Sequence, residues 1–197
     1  AQWLLDWSRR LDAAVTGSVM TRDEHRCVNP PWLATPDGAL HHYDKRHLFR
    51  MAGEHLHYAA GTAPLVVNFR GWRIAPLVCY DLRFPVWSRR RPEFDYDLLV
   101  YVANWPARRA YAWRQLLIAR AIENQAHVIG VNRVGADGNG IVHDGDSVAL
   151  DFLGMPVATP GNAVGSASVT LDLAALQDFR ERFPAHLDAD PFTLVLK

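Results

Sequence analysis

Short apolar runs punctuated by glycine, proline and aspartate make up most of this chain, with longer amphipathic stretches between them. Residues 2–11 (QWLLDWSRRL) are an amphipathic helix. Residues 14–20 have the apolar bias and polar bounds of a buried strand. A second strand covers residues 28–34, where Pro30-Pro31 argues for an edge or a bulge. Asp37-Gly38 makes a tight hairpin turn, and the strand leaving it, residues 39–43, delivers Lys45. A loop rich in histidine and glycine follows to Gly61.

Residues 64–69 and 72–78 flank Arg70-Gly71 as a second hairpin. A short helix spans residues 84–91, and residues 96–103 are the most strand-like run, ending at Asn104-Trp105-Pro106. Residues 107–125 predict a long helix with Trp113, Leu116, Leu117, Ala121 and Ile122 on one stripe. A strand at 126–133 and a loop at 135–140 come next. Residues 147–152, 155–158 and 167–171 read as antiparallel strands joined by glycine-containing turns. A helix at 173–182 and an extended tail after Pro184 complete a mixed α/β chain, its sheets covered by helices.

At 197 residues the chain suits one domain, residues 1–197, with a sizeable core. Its 21 basic residues balance 21 acidic ones, which points away from nucleic acid and from an anionic membrane surface. The clusters Arg89-Arg90-Arg91 and Arg108-Arg109 read as solvated helix ends. No apolar stretch approaches a membrane span, and no signal peptide is visible. Cys27 and Cys79 do not make a disulfide framework and fit a reducing compartment, so the expected location is cytoplasmic. The chain opens at Ala1 on a helix, without an initiator methionine or a preceding strand, and reads like the middle of a longer fold.

The candidate chemistry lies at strand ends. Cys79 ends the apolar run Ile74-Ala-Pro-Leu-Val-Cys79 and is followed by Tyr80-Asp81-Leu82-Arg83-Phe84-Pro85. Lys45 sits in a similar place, within Tyr43-Asp44-Lys45-Arg46-His47-Leu48-Phe49. A thiol nucleophile and a cation able to stabilise developing negative charge are parts of an acyl-transfer enzyme. The competing reading is an inert cysteine in the core. Five histidines between His41 and His57 invite a metal hypothesis, but their spacing fits no standard zinc site. Asp44, Asp81 and Asp146 are a further carboxylate set, though Asp44 and Asp81 have basic neighbours and ion pairing explains those two as well.

Five ordered segments add to this reading: Tyr43–Phe49, Gly53–Gly61, Leu77–Pro85, Tyr101–Pro106 and Ala119–Asn124, with Val131-Asn-Arg-Val134 after them. In these the chain resembles the nitrilase superfamily of carbon–nitrogen hydrolases, most closely its omega-amidase branch with the bacterial 2-oxoglutaramate amidase-like members. The resemblance implies a four-layer α-β-β-α sandwich, here expected to lack its first strand-helix-strand segment, and a homodimer for the full-length protein. It implies hydrolysis of a small linear omega-amide of a 2-oxo dicarboxylate through a cysteine thioester, with no metal or organic cofactor. By motif the nucleophile falls on Cys79, the catalytic lysine on Lys45 and a supporting second glutamate on Glu54. The first glutamate of the family triad lies in a short Pro-Glu segment, and no such segment occurs ahead of Lys45.

The same resemblance makes the Tyr80 backbone N–H an oxyanion donor beside Lys45. It makes Arg83 a candidate for the substrate carboxylate, with Arg133 as the alternative and a structural ion pair to Asp81 as the competing role. Asn104 and Trp105 are expected to be pocket walls, or a helix cap ahead of Pro106. Tyr43, Phe49 and Trp87 default to core packing. The activity alternatives left open are an N-carbamoyl amino acid or other small-amide hydrolase, and a non-catalytic fragment.

Overall fold

The computed structural model describes residues 1–22 and 27–195. Helix α1 (Gln2–Leu11) buries Leu4 and Ser8 and leads into β1 (Val15–Ser18). Two short strands, β2 (Thr21–Arg22) and β3 (Cys27–Val28), pair with each other. Next come β4 (Pro31–Ala34) and β5 (Leu40–His42). The expected strand over 28–34 is therefore split at Asn29-Pro30, because a proline cannot donate to a ladder. Strands β1, β4 and β5 form a three-stranded antiparallel sheet, closed at Asp37-Gly38 by Thr35 and Ala39.

Helix α2 (Glu54–His57) interrupts the histidine-rich segment, and β6 (Val67–Phe69) and β7 (Trp72–Val78) follow. Arg70 and Gly71 both have positive φ (49° and 84°), the left-handed pair that a two-residue turn between twisted strands requires. After β7 the chain makes a 3-10 turn, Cys79–Arg83, and a single helical turn α3 (Pro85–Ser88), shorter than the 84–91 helix expected. Then come β8 (Leu98–Ala103), α4 (Ala110–Asn124) and β9 (His127–Asn132). The expected 135–140 loop is the bend of a hairpin between β10 (Val134–Ala136) and β11 (Val142–Asp144). Strands β12 (Ser147–Leu150) and β13 (Pro156–Gly161) and helix α5 (Leu173–Arg182) complete the order. Residues 167–171 form no strand; they are extended, but no neighbouring backbone ladders with them among the described residues.

The larger sheet has the order β13-β12-β9-β8-β7-β6. Its centre, β7, β8 and β9, is parallel, and antiparallel strands flank it. Side chains alternate across it, as the pleat demands. Ile74, Leu98 and Val100 face the small sheet and pack on Leu33 of β4. Ala75, Leu77, Leu99, Tyr101 and Val128 face the other way, toward Trp113, Leu117 and Ala121 of α4. On the far side of the small sheet, Ser8 of α1 donates to the Ala34 carbonyl (3.2 Å). The layers are thus helix, sheet, sheet and helix, the architecture expected.

The α4 stripe departs from expectation at one end. Ile122 is 53% exposed and lies against Gly154, while Arg120 and Asn124 are buried instead. These two are buried because the backbone needs them. The Arg120 guanidinium donates to the Leu82 carbonyl (2.6 Å), and Asn124 accepts from the Arg90 N–H (2.8 Å). The Arg89–Arg91 cluster is likewise tied in rather than solvated, with Arg90 on Asp95 (2.6 Å) and Arg89 on the Glu123 carbonyl (2.9 Å). At the opposite end of the parallel strands from Cys79, Asp97 accepts from both Arg73 and Arg180, which fastens α5 to the sheet.

Gly130 of β9 sets how closely α4 approaches. A Cβ there would stand 2.5 Å from a Leu117 methyl and 2.8 Å from the Trp113 ring. Gly130→Ala is therefore expected to destabilise the fold by about 1–3 kcal/mol through overpacking, read as a lower urea midpoint at unchanged slope.

Candidate active site

Cys79 stands where β7 ends, with φ 42°, a left-handed conformation that costs a non-glycine residue on the order of 1–3 kcal/mol. The twist takes the thiol out of the strand line and starts the 3-10 turn. What maintains it is Asp81, fully buried, whose carboxylate accepts four hydrogen bonds. Oδ2 accepts from the Val78 N–H (3.2 Å) and the Tyr43 hydroxyl (3.0 Å). Oδ1 accepts from the His47 N–H (2.9 Å) and lies 2.8 Å from His47 Nδ1. Two of these donors flank Lys45 in sequence, so one carboxylate joins the cysteine turn to the lysine segment.

Tyr43 extends the network rather than merely filling the core. Its hydroxyl accepts from the Trp87 indole N–H (2.8 Å) and from the Arg46 N–H (3.0 Å). Burial, and then the Asp81 charge, push its ionisation far above the ordinary tyrosine range, so it stays a donor. The His47 ring stacks on Phe84 at 3.7 Å. Behind Lys45, the Gly61 N–H donates to the Lys45 carbonyl (3.0 Å), and a Cβ on Gly61 would sit 2.0 Å from the Asp44 carbonyl oxygen. Only glycine lets the two segments run this close.

Lys45 is 2% exposed, and a buried ammonium demands a partner. That partner is Glu54, at the start of α2, whose Oε2 lies 2.6 Å from Nζ. The same oxygen accepts from the Phe49 N–H (2.8 Å). The half-buried Cys79 thiol shares this environment. Burial pushes its pKa up; the Lys45 charge and the Asn104 backbone N–H pull it down, and the Glu54 and Asp81 carboxylates add to the rise. The net shift is upward, so at neutral pH the sulfur carries its proton at rest.

The remaining sequence candidates meet here with altered roles. Asn104 is exposed, and its backbone N–H favours the ionised form of the thiol; it is not a side-chain cap. Trp105 is buried, its indole N–H on the Arg109 carbonyl (2.8 Å). Tyr80 follows the nucleophile, its ring packed on Phe49 (4.9 Å between centroids). Arg83 does not pair with Asp81; its guanidinium lies over the Trp105 ring, 4.9 Å from the centroid. Arg133 is engaged within its own hairpin, on the Ala136 carbonyl (2.9 Å). Asp146 pairs with Arg114 (2.6 Å), and among the described residues no three His, Cys, Asp or Glu side chains gather as a metal-binding group.

Two residues that the sequence reading passed over belong to the site. Asn132, at the end of β9, accepts from the Trp105 N–H (2.7 Å) and donates to the carbonyls of Trp105 (3.0 Å) and Gly145 (2.7 Å). Arg109 lies over Phe49, 5.1 Å from the ring centroid, and was read as a solvated helix end. Its position two residues into a turn that follows a strand end was the available signal.

The chain is similar to known proteins in sequence and in fold. The sequence profile of the Carbon-nitrogen hydrolase family matches residues 1–181. The omega-amidase YafV of Yersinia enterocolitica is 57% identical over 195 residues, covering 98% of this chain and 75% of that protein. The 2-oxoglutaramate amidase of Bacillus subtilis (strain 168) is 34% identical over 175 residues, covering 88% of this chain and 67% of that protein. The crystal structure of XC1258 from Xanthomonas campestris, a CN-hydrolase superfamily protein with an arsenic adduct in its active site, superposes with a TM-score of 0.95. It is 54% identical, over 98% of this chain and 76% of that one.

Asp81→Ala removes the brace and strands buried donors, and is expected to cost about 3–5 kcal/mol of stability by chemical denaturation. The raised thiol pKa gives a second expectation. In a Cys27→Ser background, alkylation of Cys79 by iodoacetamide should be slow at pH 7 and climb through pH 9 without a plateau at neutrality. Lys45→Met, which removes the cation that lowers the thiol pKa, should move that climb to still higher pH, as followed by mass spectrometry.

Proposed function

The chain belongs to the carbon–nitrogen hydrolase family, and on that premise we propose that it is an amidase cleaving the omega-amide of a short 2-oxo dicarboxylate, such as 2-oxoglutaramate, through a thioester on Cys79. The observation that carries this reading is a thiol under the charge of a buried lysine, with that lysine held by Glu54. The substrate class is supported by the names of the relatives and by arginines at the site.

The chemistry follows from the parts. The Cys79 sulfur attacks the amide carbon, and the carbonyl electrons move onto oxygen as the S–C bond forms. The thiol is protonated at rest, so its proton leaves during attack and passes to a carboxylate base. The family resemblance gives that role to a glutamate of a Pro-Glu segment ahead of the lysine, a segment that does not occur ahead of Lys45 in this sequence. Glu54 has its Oε2 committed to Lys45 and the Phe49 N–H, and serves to aim the ammonium. The oxyanion is bound by Lys45 and the Tyr80 N–H, and a single such donor supplies on the order of 3–4 kcal/mol in the transition state.

Collapse of the tetrahedral species breaks the C–N bond. The nitrogen takes up the proton held by the base and leaves as ammonia. Water then attacks the thioester, giving the carboxylate and regenerating the thiol. The Asn104 backbone N–H, which favours the ionised sulfur, stabilises it as the leaving group of that second step.

Ammonia release should favour 2-oxoglutaramate over an N-carbamoyl amino acid, and preference for the carbamoyl compound would overturn the substrate assignment. Cys79→Ala should abolish turnover. Lys45→Met should lower kcat by about 100- to 1,000-fold, with little change in KM, if the ammonium acts on the transition state.

A further inference from the structure

Four aromatic rings interleave between residues 43–49, which carry Lys45, and the turn at 79–84. Phe49 meets Tyr80 edge-on with 4.9 Å between centroids, Tyr80 meets Phe84 at 5.1 Å, and Phe84 stacks on His47 at 3.7 Å. Each segment supplies two of the rings. At the His47 end the contact is backed by the hydrogen bonds to Asp81. At the other end Phe49 is clasped to Glu54. Its N–H donates to Glu54 Oε2 (2.8 Å), and its carbonyl accepts from the Glu54 N–H (3.3 Å). The same carboxylate oxygen lies 2.6 Å from the Lys45 ammonium.

Glu54 depends on this clasp because its own element gives it little else. Helix α2 is one turn long and buries no side chain, and Leu56 within it is 72% exposed. The 3-10 turn before it, Arg50–Ala52, buries none either, with Met51 76% exposed. Apolar packing therefore does not fix the carboxylate, and a surface segment with few buried contacts opens readily unless something anchors it. The half-buried Phe49 ring is that anchor, with Tyr80 against it and the Arg109 guanidinium over it at 5.1 Å. Tyr80 directly follows the nucleophile, so the contacts run from the Cys79 turn through Tyr80, Phe49 and Glu54 to Lys45. Burial raises the Cys79 thiol pKa, and the Lys45 charge is the largest effect opposing that rise.

We propose that Phe49 is a positioning residue: its ring, held against Tyr80 of the nucleophile turn, sets the place of Glu54 and through it the place of the Lys45 ammonium relative to the sulfur. Its bearing on turnover rests on the amidase reading, but the positioning itself is read from thiol chemistry. In a Cys27→Ser background, Phe49→Ala should move the pH at which iodoacetamide alkylates Cys79 upward, in the direction of Lys45→Met and by less. In Lys45→Met, adding Phe49→Ala should move it no further, since the group it acts through is gone. Phe49→Tyr keeps the ring and should keep the native profile. Phe49→Leu keeps apolar bulk without an aromatic edge; it should shift the profile the same way, and it answers the question if Phe49→Ala does not fold. With 2-oxoglutaramate, Phe49→Ala should lower kcat by about 10- to 100-fold at little-changed KM, the mark of a misplaced group rather than of lost binding.

An unchanged alkylation profile, or an equal upward shift with and without Lys45, would overturn the proposal. A downward shift would do the same, since it marks the ring as a cover that only keeps water from the thiol. Absence of ammonia release from 2-oxoglutaramate by the native chain bears on the amidase reading alone.

Discussion

A buried carboxylate that satisfies four donors at once is the constraint on which the site depends. Asp81 cannot lose its partners without stranding charge in a dry interior, and its partners lie on both sides of the site. It bonds the backbone just before the nucleophile and the segment that presents the lysine. One carboxylate thus couples the position of the Cys79 turn to that of the Lys45 segment. That coupling explains how Cys79 tolerates a left-handed backbone, since the surrounding hydrogen bonds over-determine the turn.

Burial acts oppositely on the two reactive side chains. For Lys45 it is tolerable because Glu54 lies 2.6 Å away, and the pair enters the interior nearly neutral. For Cys79 burial is opposed by the same lysine but not overcome, and the thiol rests protonated. A thiol kept in its neutral form resists stray oxidation and alkylation.

Much of this was legible because strands deliver polar residues at their ends. The runs before Cys79, Lys45 and Asn104 are short and apolar, and in the folded chain Lys45 and Asn104 both act on the Cys79 thiol. Side chains whose roles depend on distant partners were harder to read. Asp81 pointed toward Arg83 by proximity in sequence, yet its partners are Tyr43 and His47, from the lysine segment. Arg109 looked solvated because nothing local says that Phe49 will lie beneath it. Residues 167–171 alternate as a strand does, but alternation describes one chain, and a strand also needs a neighbour with free donors and acceptors. The hairpin at β10 and β11 was hidden behind glycines that mark its bend.

Asn132 spends its whole amide on backbone: one oxygen and two hydrogens reach Trp105 on one side and Gly145 on the other. The lip formed by the end of β8 and the lip formed by the β11–β12 turn are thereby riveted into a single piece.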